Sequence, residues 1–352
     1  MSYKDNKKKV VVAMSGGVDS TTVALLLLKE GYEVSGITGI MHDGMQEAAK
    51  NASEACKVIG IEHHSLDLRE EFNEKVINYF ENSYKKGLTP NPCTYCNRLI
   101  KWGSLADYAF EKLNTDFYAT GHYARILNEN GSFRLYRGED PKKDQSYMLF
   151  ALTQKQLSRT LFPLGTMDKI KVKEIARENK LSAADSKESQ DVCFINPPET
   201  TQSYLLSRFG EKEGEIIDYN TEKVLGTHKG AFNFTTGQRK GIGVAASEPL
   251  YVISIDPDEN KIYVGFKELL SSQEFDVENV NWQQEEHGEK QEFIAMAKIR
   301  YNSGAQEAVI IKTGENSVHV KLKEPKFAIT PGQAAVFYNM NNEYVLCGGW
   351  IK

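Results

Sequence analysis

The run Ser15-Gly16-Gly17-Val18-Asp19-Ser20 constrains this chain more than any other feature, because of what flanks it. Before it, Val10–Met14 has the length and composition of a buried strand. After it, Ser20–Glu30 has the apolar spacing of a helix that stops before Gly31. Two glycines let the backbone turn tightly and approach a ligand closely. The helix that follows offers free N–H groups and the positive end of its dipole, which together hold phosphate. Ser15 and Ser20 add hydroxyl donors. Asp19 is an acid beside an anion site and reads either as a helix cap or as an acceptor for a magnesium ion riding on the phosphates. The loop lacks the lysine of the Walker pattern and the spacing of the dinucleotide fingerprint.

Strand-like and helix-like segments alternate from there on. Glu33–Ile40 is strand-like, Gln46–Ile59 has helical spacing and stops at Gly60, and Ile61–Leu66 is strand-like again. Glu70–Lys86 is a long helical pattern ending at Gly87, and Phe117–Thr120 is a short strand before Gly121-His122. This alternation predicts an α/β fold, a Rossmann-like parallel sheet with helices on both faces. The pattern changes near Asn196-Pro197-Pro198. Beyond a short helical stretch at Tyr204–Phe209, strands replace helices: Val309–Lys312, Val318–Leu322, Ala334–Tyr338 and Tyr344–Leu346. A chain of 352 residues also exceeds what one core organises. Three domains are expected: a phosphate-loop domain over 1–198, a small mixed central domain over 199–266 and a C-terminal β-barrel over 267–352.

The net charge of -5 argues against a uniformly basic nucleic-acid binder, yet Lys and Arg recur around residues 98–101, 134–143 and 298–300, where a local basic face is open. No apolar run reaches the ~20 residues of a membrane span. The polar, lysine-rich Met1–Lys9 runs straight into the first strand without a signal core, so a cytoplasmic protein is expected. Five cysteines in such a chain do not make a disulfide scaffold, and in a reducing compartment each is core filler, ligand or reactive thiol. Cys56 and Cys347 lie in apolar patterns and read as core. In Asn91-Pro92-Cys93-Thr94-Tyr95-Cys96-Asn97-Arg98, two prolines (Pro90 and Pro92) precede a helical pattern that Cys96 opens over Asn97–Phe110. A thiol at a helix N-terminus beside Arg98 is expected to have a lowered pKa and to be nucleophilic. Cys193 stands in Ser189-Gln190-Asp191-Val192-Cys193-Phe194-Ile195, a polar approach followed by apolar residues. His63-His64 lacks carboxylate or cysteine company at a ligand spacing.

The SGGxDS loop resembles that of the PP-loop ATP pyrophosphatases. The chain as a whole is similar to the tRNA-specific 2-thiouridylase family, nearly end to end. The carriers are Ala13–Ser20, Pro90–Arg98, Ala119–Tyr123, Lys143–Tyr147, Ser189–Ile195, Thr236–Gly241 and Thr330–Gln333, in the family's order. The resemblance implies that ATP adenylates O2 of the wobble uridine in tRNA of the Glu, Gln and Lys type, making C2 electrophilic. It implies that Cys193 carries a persulfide from a cysteine desulfurase or relay protein, and that its terminal sulfur attacks C2. Cys96 would be the partner thiol, resolving the persulfide as a disulfide or assisting sulfide release. By position, Ala13, Met14, Ser15, Gly16, Gly17, Val18, Asp19, Ser20, Gly39 and Gly121 would contact ATP with its Mg2+. His122, Lys143, Asp144, Gln145, Arg300, Tyr301 and Gln333 would contact tRNA, through a central domain and barrel that help dock it. Asn91, Pro92 and Cys93 would face the target base. A monomer without membrane attachment is expected.

Two positions depart from the family's best-known pattern: Cys93 stands where many members have Asp, and Gly39 where they have Met. A thiol replaces a carboxylate base poorly. Cys93 and Cys96 also form a C-x-x-C that, with Cys193, could hold a [4Fe–4S] cluster with one iron open to hydrosulfide, or zinc on the same ligands. The persulfide route, the cluster route and a bystander Cys93 all remain open at the level of sequence. So does a different class of activity, a PP-loop ligase acting on a small molecule, which would explain the loop but not the cysteines.

Overall fold

The computed structural model describes residues 7–179, 181, 192–283 and 291–352. Ser189, Gln190 and Asp191, the polar approach to Cys193, lie outside the described residues. The chain divides into two compact units. The first comprises 1–76, 93–190 and 343–345; the second comprises 77–92, 191–342 and 346–352. No helix among the described residues is long and apolar enough to cross a membrane.

The N-terminal elements run β1 (Lys9–Ala13), α1 (Val18–Lys29), β2 (Glu33–Ile40), α2 (Gln46–Ile59), β3 (Glu62–Asp67), α3 (Arg69–Phe72), α4 (Asn78–Lys85), α5 (Pro92–Cys96), α6 (Ala106–Glu111), β4 (Phe117–Ala119), β5 (Ala124–Glu129) and β6 (Ser132–Arg137). They continue with α7 (Ser146–Leu149), α8 (Gln154–Leu157), β7 (Thr160–Leu161) and α9 (Lys169–Glu178). Five strands form one sheet in the order β3-β2-β1-β4-β7, every pairing parallel. Val10, Val11 and Val12 of β1 are all buried, as a central strand covered on both faces requires. Helix α2 turns Ala49, Ala52, Ala55 and Cys56 inward and ends at Gly60, whose φ of 78° is the left-handed conformation glycine tolerates. The strand order reverses at β1, between β2 and β4, and in open α/β sheets ligands bind beyond the strand ends at such a switch point.

Two features differ from the sequence expectation. The helix expected from Asn97 begins at Pro92, and Cys96 therefore sits a turn inside it rather than at its start. Proline suits the first helical position, where its missing N–H is needed by no bond, so the two prolines delay the helix less than expected. Beyond Cys96 the winding is π-helical over Asn97–Leu105, broken at Gly103 (φ -95°, ψ -112°). The β5–β6 hairpin was not anticipated. It closes on Asn130-Gly131, both at positive φ, the turn that matches strand twist.

The second unit carries α10 (Thr201–Phe209), then β8 (Gly214–Asp218), β9 (Val224–His228), β10 (Tyr251–Asp256) and β11 (Lys261–Gly265), paired in the order β10-β11-β8-β9 over a core that includes Ile216, Val252, Ile262 and Val264. The strands β12 (Ser271–Trp282), β13 (Glu292–Lys298), β14 (Gln306–Gly314), β15 (Ser317–Phe327), β16 (Ala334–Tyr338) and β17 (Val345–Ile351) close a six-stranded barrel. In β15, Val318, Val320 and Leu322 point into the barrel while Lys321 stays outside, the period of a half-buried strand.

Candidate functional site

The turn after β1 is built as a phosphate cradle. Gly16 has φ 74°, and a Cβ there would lie 2.6 Å from the Ala48 carbonyl, so only glycine passes. Gly17, not Asp19, is the N-cap of α1, and no side chain caps it. The Ser15 amide donates to Ser20 Oγ at 3.2 Å, and Ser20 Oγ donates to the Gly17 carbonyl at the same distance, which closes the loop on itself. Ala13 and Met14 lead into it, Met14 donating its N–H to the Ile37 carbonyl of β2. Thr38 Oγ1 lies 2.9 Å from both the Met14 carbonyl and His63 Nε2, which fixes the neighbouring strand end. Val18 and Ser20 are buried, Ser15 is exposed, and the glycines between are partly open.

Asp19 does not cap the helix. Its two carboxylate oxygens each accept from Lys169 Nζ at 2.7 Å, and Oδ1 also accepts from the Tyr123 hydroxyl at 3.0 Å. The Lys169 side chain is only 11% exposed. A carboxylate is a suitable donor for magnesium, and Asp19 is the loop's candidate, here in an ion pair with Lys169. Lys169 and Tyr123 carry no local sequence signal that joins them to the loop. Gly121, after β4, comes so near that a Cβ there would lie 2.9 Å from Asp19 Cβ and 3.2 Å from the Ser20 amide. Gly121 and the loop thus face the same switch point. Gly39, near the end of β2, has room for a Cβ only at 3.1 Å from Leu68 Cδ1 and 3.4 Å from Leu105 Cδ1, so a larger residue there would need both leucines to move.

His122 follows Gly121. Its Nδ1 lies 2.8 Å from Thr120 Oγ1 and its ring packs on Trp102 and Phe162. Burial, with the Lys101 charge as a lesser cause, pushes its pKa well below the usual imidazole value, so the ring is neutral at physiological pH. Trp102 is held in turn by its Nε1 donating to Thr160 Oγ1 at 2.8 Å. Gln145 clamps the adjacent turn: its Oε1 accepts from the Tyr123 amide at 3.0 Å and its amide donates to the Tyr123 carbonyl at 2.9 Å. Asp144 is buried. It accepts from Arg137 Nε at 2.8 Å and from the Gly138 and Ser146 amides at 3.1 Å each. Lys143 is half-buried, its amide donating to the Asp140 carbonyl.

The cysteines divide by environment. Among the described residues no disulfide joins them. Cys56 and Cys347 are buried core residues, and burial pushes the Cys56 thiol up to about 11 and the Cys347 thiol further in the same direction. Cys96 is buried, its Sγ 3.8 Å from Met41 Sδ. Cys93, one turn earlier on the same helix, keeps exposed surface although protein surrounds it densely. That desolvation raises its pKa against the opposing pull of Lys101. Cys193 belongs to the second unit and is exposed. The next residue anchors it: the Phe194 ring stands edge-on to Phe80 (5.2 Å between centroids, 89°) and to Tyr204 (5.9 Å). Glu81 accepts from the Tyr204 hydroxyl at 2.9 Å and from Arg208 Nε at 2.7 Å, bracing that aromatic group. Among the described residues, no three His, Cys, Asp or Glu side chains are grouped as a metal site.

The remaining candidates lie in the second unit. Asn91 and Pro92 are buried. Gln333 Nε2 donates to the Thr89 carbonyl at 3.0 Å and lies 3.4 Å from that of Pro90, and the Thr89 amide donates to the Pro331 carbonyl. Gln333 therefore holds the segment that leads to Asn91. Arg300 Nη2 donates to the Ala328 carbonyl and, at 2.7 Å, to Thr330 Oγ1, while Lys298 lies over the Tyr301 ring at 5.5 Å.

Comparison with known proteins gives this arrangement its family. Residues 8–197 match the model described as tRNA methyl transferase HUP domain, 202–266 the tRNA methyl transferase PRC-barrel domain, and 272–351 the aminomethyltransferase beta-barrel domain. A relative from Nostoc sp., named tRNA-specific 2-thiouridylase MnmA, is 42% identical over 351 residues, covering 98% of this chain and 99% of its own. Relatives of the same name from Microcystis aeruginosa (43% over 350 residues) and Carboxydothermus hydrogenoformans (42% over 365 residues) each cover 98% of both chains. With a glycine cradle at the switch point of a parallel sheet, an intact barrel and near-complete alignment to these relatives, the chain belongs to the tRNA-specific 2-thiouridylase MnmA family.

Proposed function

We propose that this chain uses ATP to replace O2 of the wobble uridine in tRNA of the Glu, Gln and Lys type with sulfur. The observation that carries the reading is the Ser15–Ser20 cradle at the switch point of a chain 42% identical, over almost its whole length, to relatives named for tRNA 2-thiolation. The cradle binds the phosphates of ATP through the N-terminus of α1, and uridine O2 attacks the α-phosphorus with loss of pyrophosphate. The oxygen becomes part of an AMP leaving group and C2 becomes electrophilic.

Sulfur arrives as a persulfide on Cys193, delivered by a cysteine desulfurase or a relay protein. The exposure of Cys193 suits such a delivery. The terminal sulfur attacks C2, the C2–O bond breaks, and AMP departs with the oxygen. The Cys96 thiolate then attacks Cys193 Sγ, which forms a Cys96–Cys193 disulfide and leaves the second sulfur on C2. A dithiol reductant resets the pair. Cys96 belongs to the first unit and Cys193 to the second. Cys93 stands where a carboxylate base is usual. Its raised pKa suits a neutral thiol that packs against the base rather than a proton acceptor. The alternative, a cluster held by Cys93, Cys96 and Cys193 that activates sulfide, is distinguished by whether thiolation tracks bound iron. The domain descriptions speak of methyl transfer, but the phosphate cradle and the name of the near-full-length relatives support adenylation and sulfur transfer. His122, Lys143, Asp144 and Gln145 in the first unit, and Arg300, Tyr301 and Gln333 in the second, each form or brace tRNA contacts within their own unit, and the protein acts as a monomer with one tRNA.

The test separates activation from sulfur transfer. Cys193→Ser, given ATP, Mg2+ and tRNA, should release pyrophosphate in a single turnover that depends on the tRNA, while forming no 2-thiouridine. Pyrophosphate release independent of tRNA would contradict the adenylation step, and thiolation by Cys193→Ser would contradict the persulfide step.

A further inference from the structure

The phosphate cradle has an electrostatic problem that its own sequence does not solve. It carries a carboxylate, Asp19, in the first turn of α1, and no lysine or arginine lies within Ser15–Ser20. A triphosphate brings several negative charges to this turn. The helix end alone offsets about half an elementary charge, which Asp19 more than cancels.

The missing cation comes from 150 residues away. Lys169 is the first residue of α9, and its ammonium reaches Asp19 Oδ1 and Oδ2 at 2.7 Å each. Its placement runs against local preference: a lysine at the start of a helix faces the positive end of the dipole and is disfavoured there. The side chain is only 11% exposed, so its charge acts with little screening by water. The starts of α1 and α9 thus meet through one ion pair, with the Tyr123 hydroxyl on the same carboxylate and Gly121 passing 2.9 Å from Asp19 by its would-be Cβ. Asp168, the other acid at this helix start, is committed to capping α9, accepting from the Lys171 amide at 2.7 Å.

We propose that Lys169 is a phosphate ligand of this site: Asp19 holds its ammonium beside the cradle, and the ammonium engages the pyrophosphate portion of ATP. Asp19 in this account is the arm that positions the cation. An ammonium has three donors, so it can keep a carboxylate contact while donating to phosphate oxygens. The inference rests on the reading of Ser15–Ser20 as the ATP site and adds the residue that recognises the leaving pyrophosphate.

The experiment is equilibrium binding to the full chain in EDTA, so that no metal bridges the phosphates. ATP, AMP and inorganic pyrophosphate are the probes, against wild type, Lys169→Met and Lys169→Arg, with thermal melts to confirm folding. Lys169→Met should weaken ATP and pyrophosphate by about 10- to 100-fold, the size of one lost hydrogen bond to a charged group. AMP should change less than twofold, and Lys169→Arg should recover most of the loss. Equal weakening of ATP and AMP, or no weakening of either in a folded Lys169→Met, would overturn the assignment and leave Lys169 a brace for Asp19. Wild-type protein that binds none of the three would overturn the ATP reading itself.

Discussion

Asp144 offers the sharpest test of how the loop proposed to face tRNA is held. It is buried, with 1% of its side chain exposed, and it satisfies three donors at once: Arg137 Nε and the amides of Gly138 and Ser146. Asp144→Ala removes one partner of a buried ion pair, which costs about 3–5 kcal/mol. Arg137 is a quarter exposed and can recover hydration, so the low end, about 3 kcal/mol, is expected. Asp144→Asn keeps a carbonyl oxygen for the two amides and loses only the charge, for about 1 kcal/mol. With more than one domain in the chain, a global unfolding curve is not two-state, so the readout is local. Native-state hydrogen exchange should show the Gly138 and Ser146 amides opening about 100-fold faster in the alanine variant and less than about 10-fold faster in the asparagine variant. If Asp144 acts on tRNA by holding Lys143 and Gln145 in place, tRNA affinity should fall in the same order. Exchange at both amides within threefold of wild type in Asp144→Ala would refute the reasoning. So would an asparagine variant as damaged as the alanine one.

Other outcomes follow from the same geometry. Gly16→Ala forces a left-handed conformation, worth about 1–2 kcal/mol, and drives a Cβ into the Ala48 carbonyl. ATP affinity should drop at least about tenfold, and wild-type affinity by calorimetry would contradict the cradle. His122 is held below its ordinary pKa by burial, so the unfolded chain binds the proton more readily. Its contribution to stability rises with pH up to about 6.5 and is flat above. Its imidazole resonance should not titrate between pH 6 and 8, and a midpoint near 6.5 would contradict the burial argument. Under iodoacetamide at pH 8, Cys193 should alkylate first, while Cys56, pushed up to about 11, and Cys347 stay unmodified over the same interval. Peptide mass spectrometry that finds Cys56 labelled as fast as Cys193 would contradict the assignment of Cys56 to the core. Phe194→Ala should lower thiolation more than it lowers tRNA-dependent pyrophosphate release, because it loosens the anchor of Cys193 and leaves the cradle intact; equal losses would contradict that anchor.

What the sequence revealed was local. The cradle was readable because strand, glycine turn and helix are contiguous, and α2 was readable because its alanine spacing and Gly60 state both its face and its end. The alternation in Val318–Leu322 fixed which side of β15 meets the barrel interior. Two prolines read as a barrier put Cys96 at the start of its helix, whereas Pro92 opens the helix and Cys96 lies a turn inside it. The Asn130-Gly131 pair is a strong turn signal, but the strands it joins, Ala124–Glu129 and Ser132–Arg137, mix charged and apolar residues and carry only a weak strand pattern. The contact of Lys169 was not legible: Val172, Ile175 and Ala176 have helical spacing, but nothing in the spacing of a lysine and an aspartate 150 residues apart says that they touch. The roles of Gln145 and Gln333 as clamps on backbone were hidden for the same reason, because a hydrogen bond across the fold has no sequence period.

The most direct test of the account is nucleoside mass spectrometry of unmodified tRNA after anaerobic incubation with the purified chain, ATP, Mg2+ and a sulfur source. Iron and acid-labile sulfide are assayed in the same batch, and Cys193→Ser and Cys93→Ser run alongside. The account predicts 2-thiouridine that requires ATP, forms without bound iron, is lost in Cys193→Ser and survives in Cys93→Ser. Absence of 2-thiouridine while a known relative succeeds under the same conditions would contradict the central claim. Thiolation that tracks bound iron and fails in both variants would contradict the persulfide route.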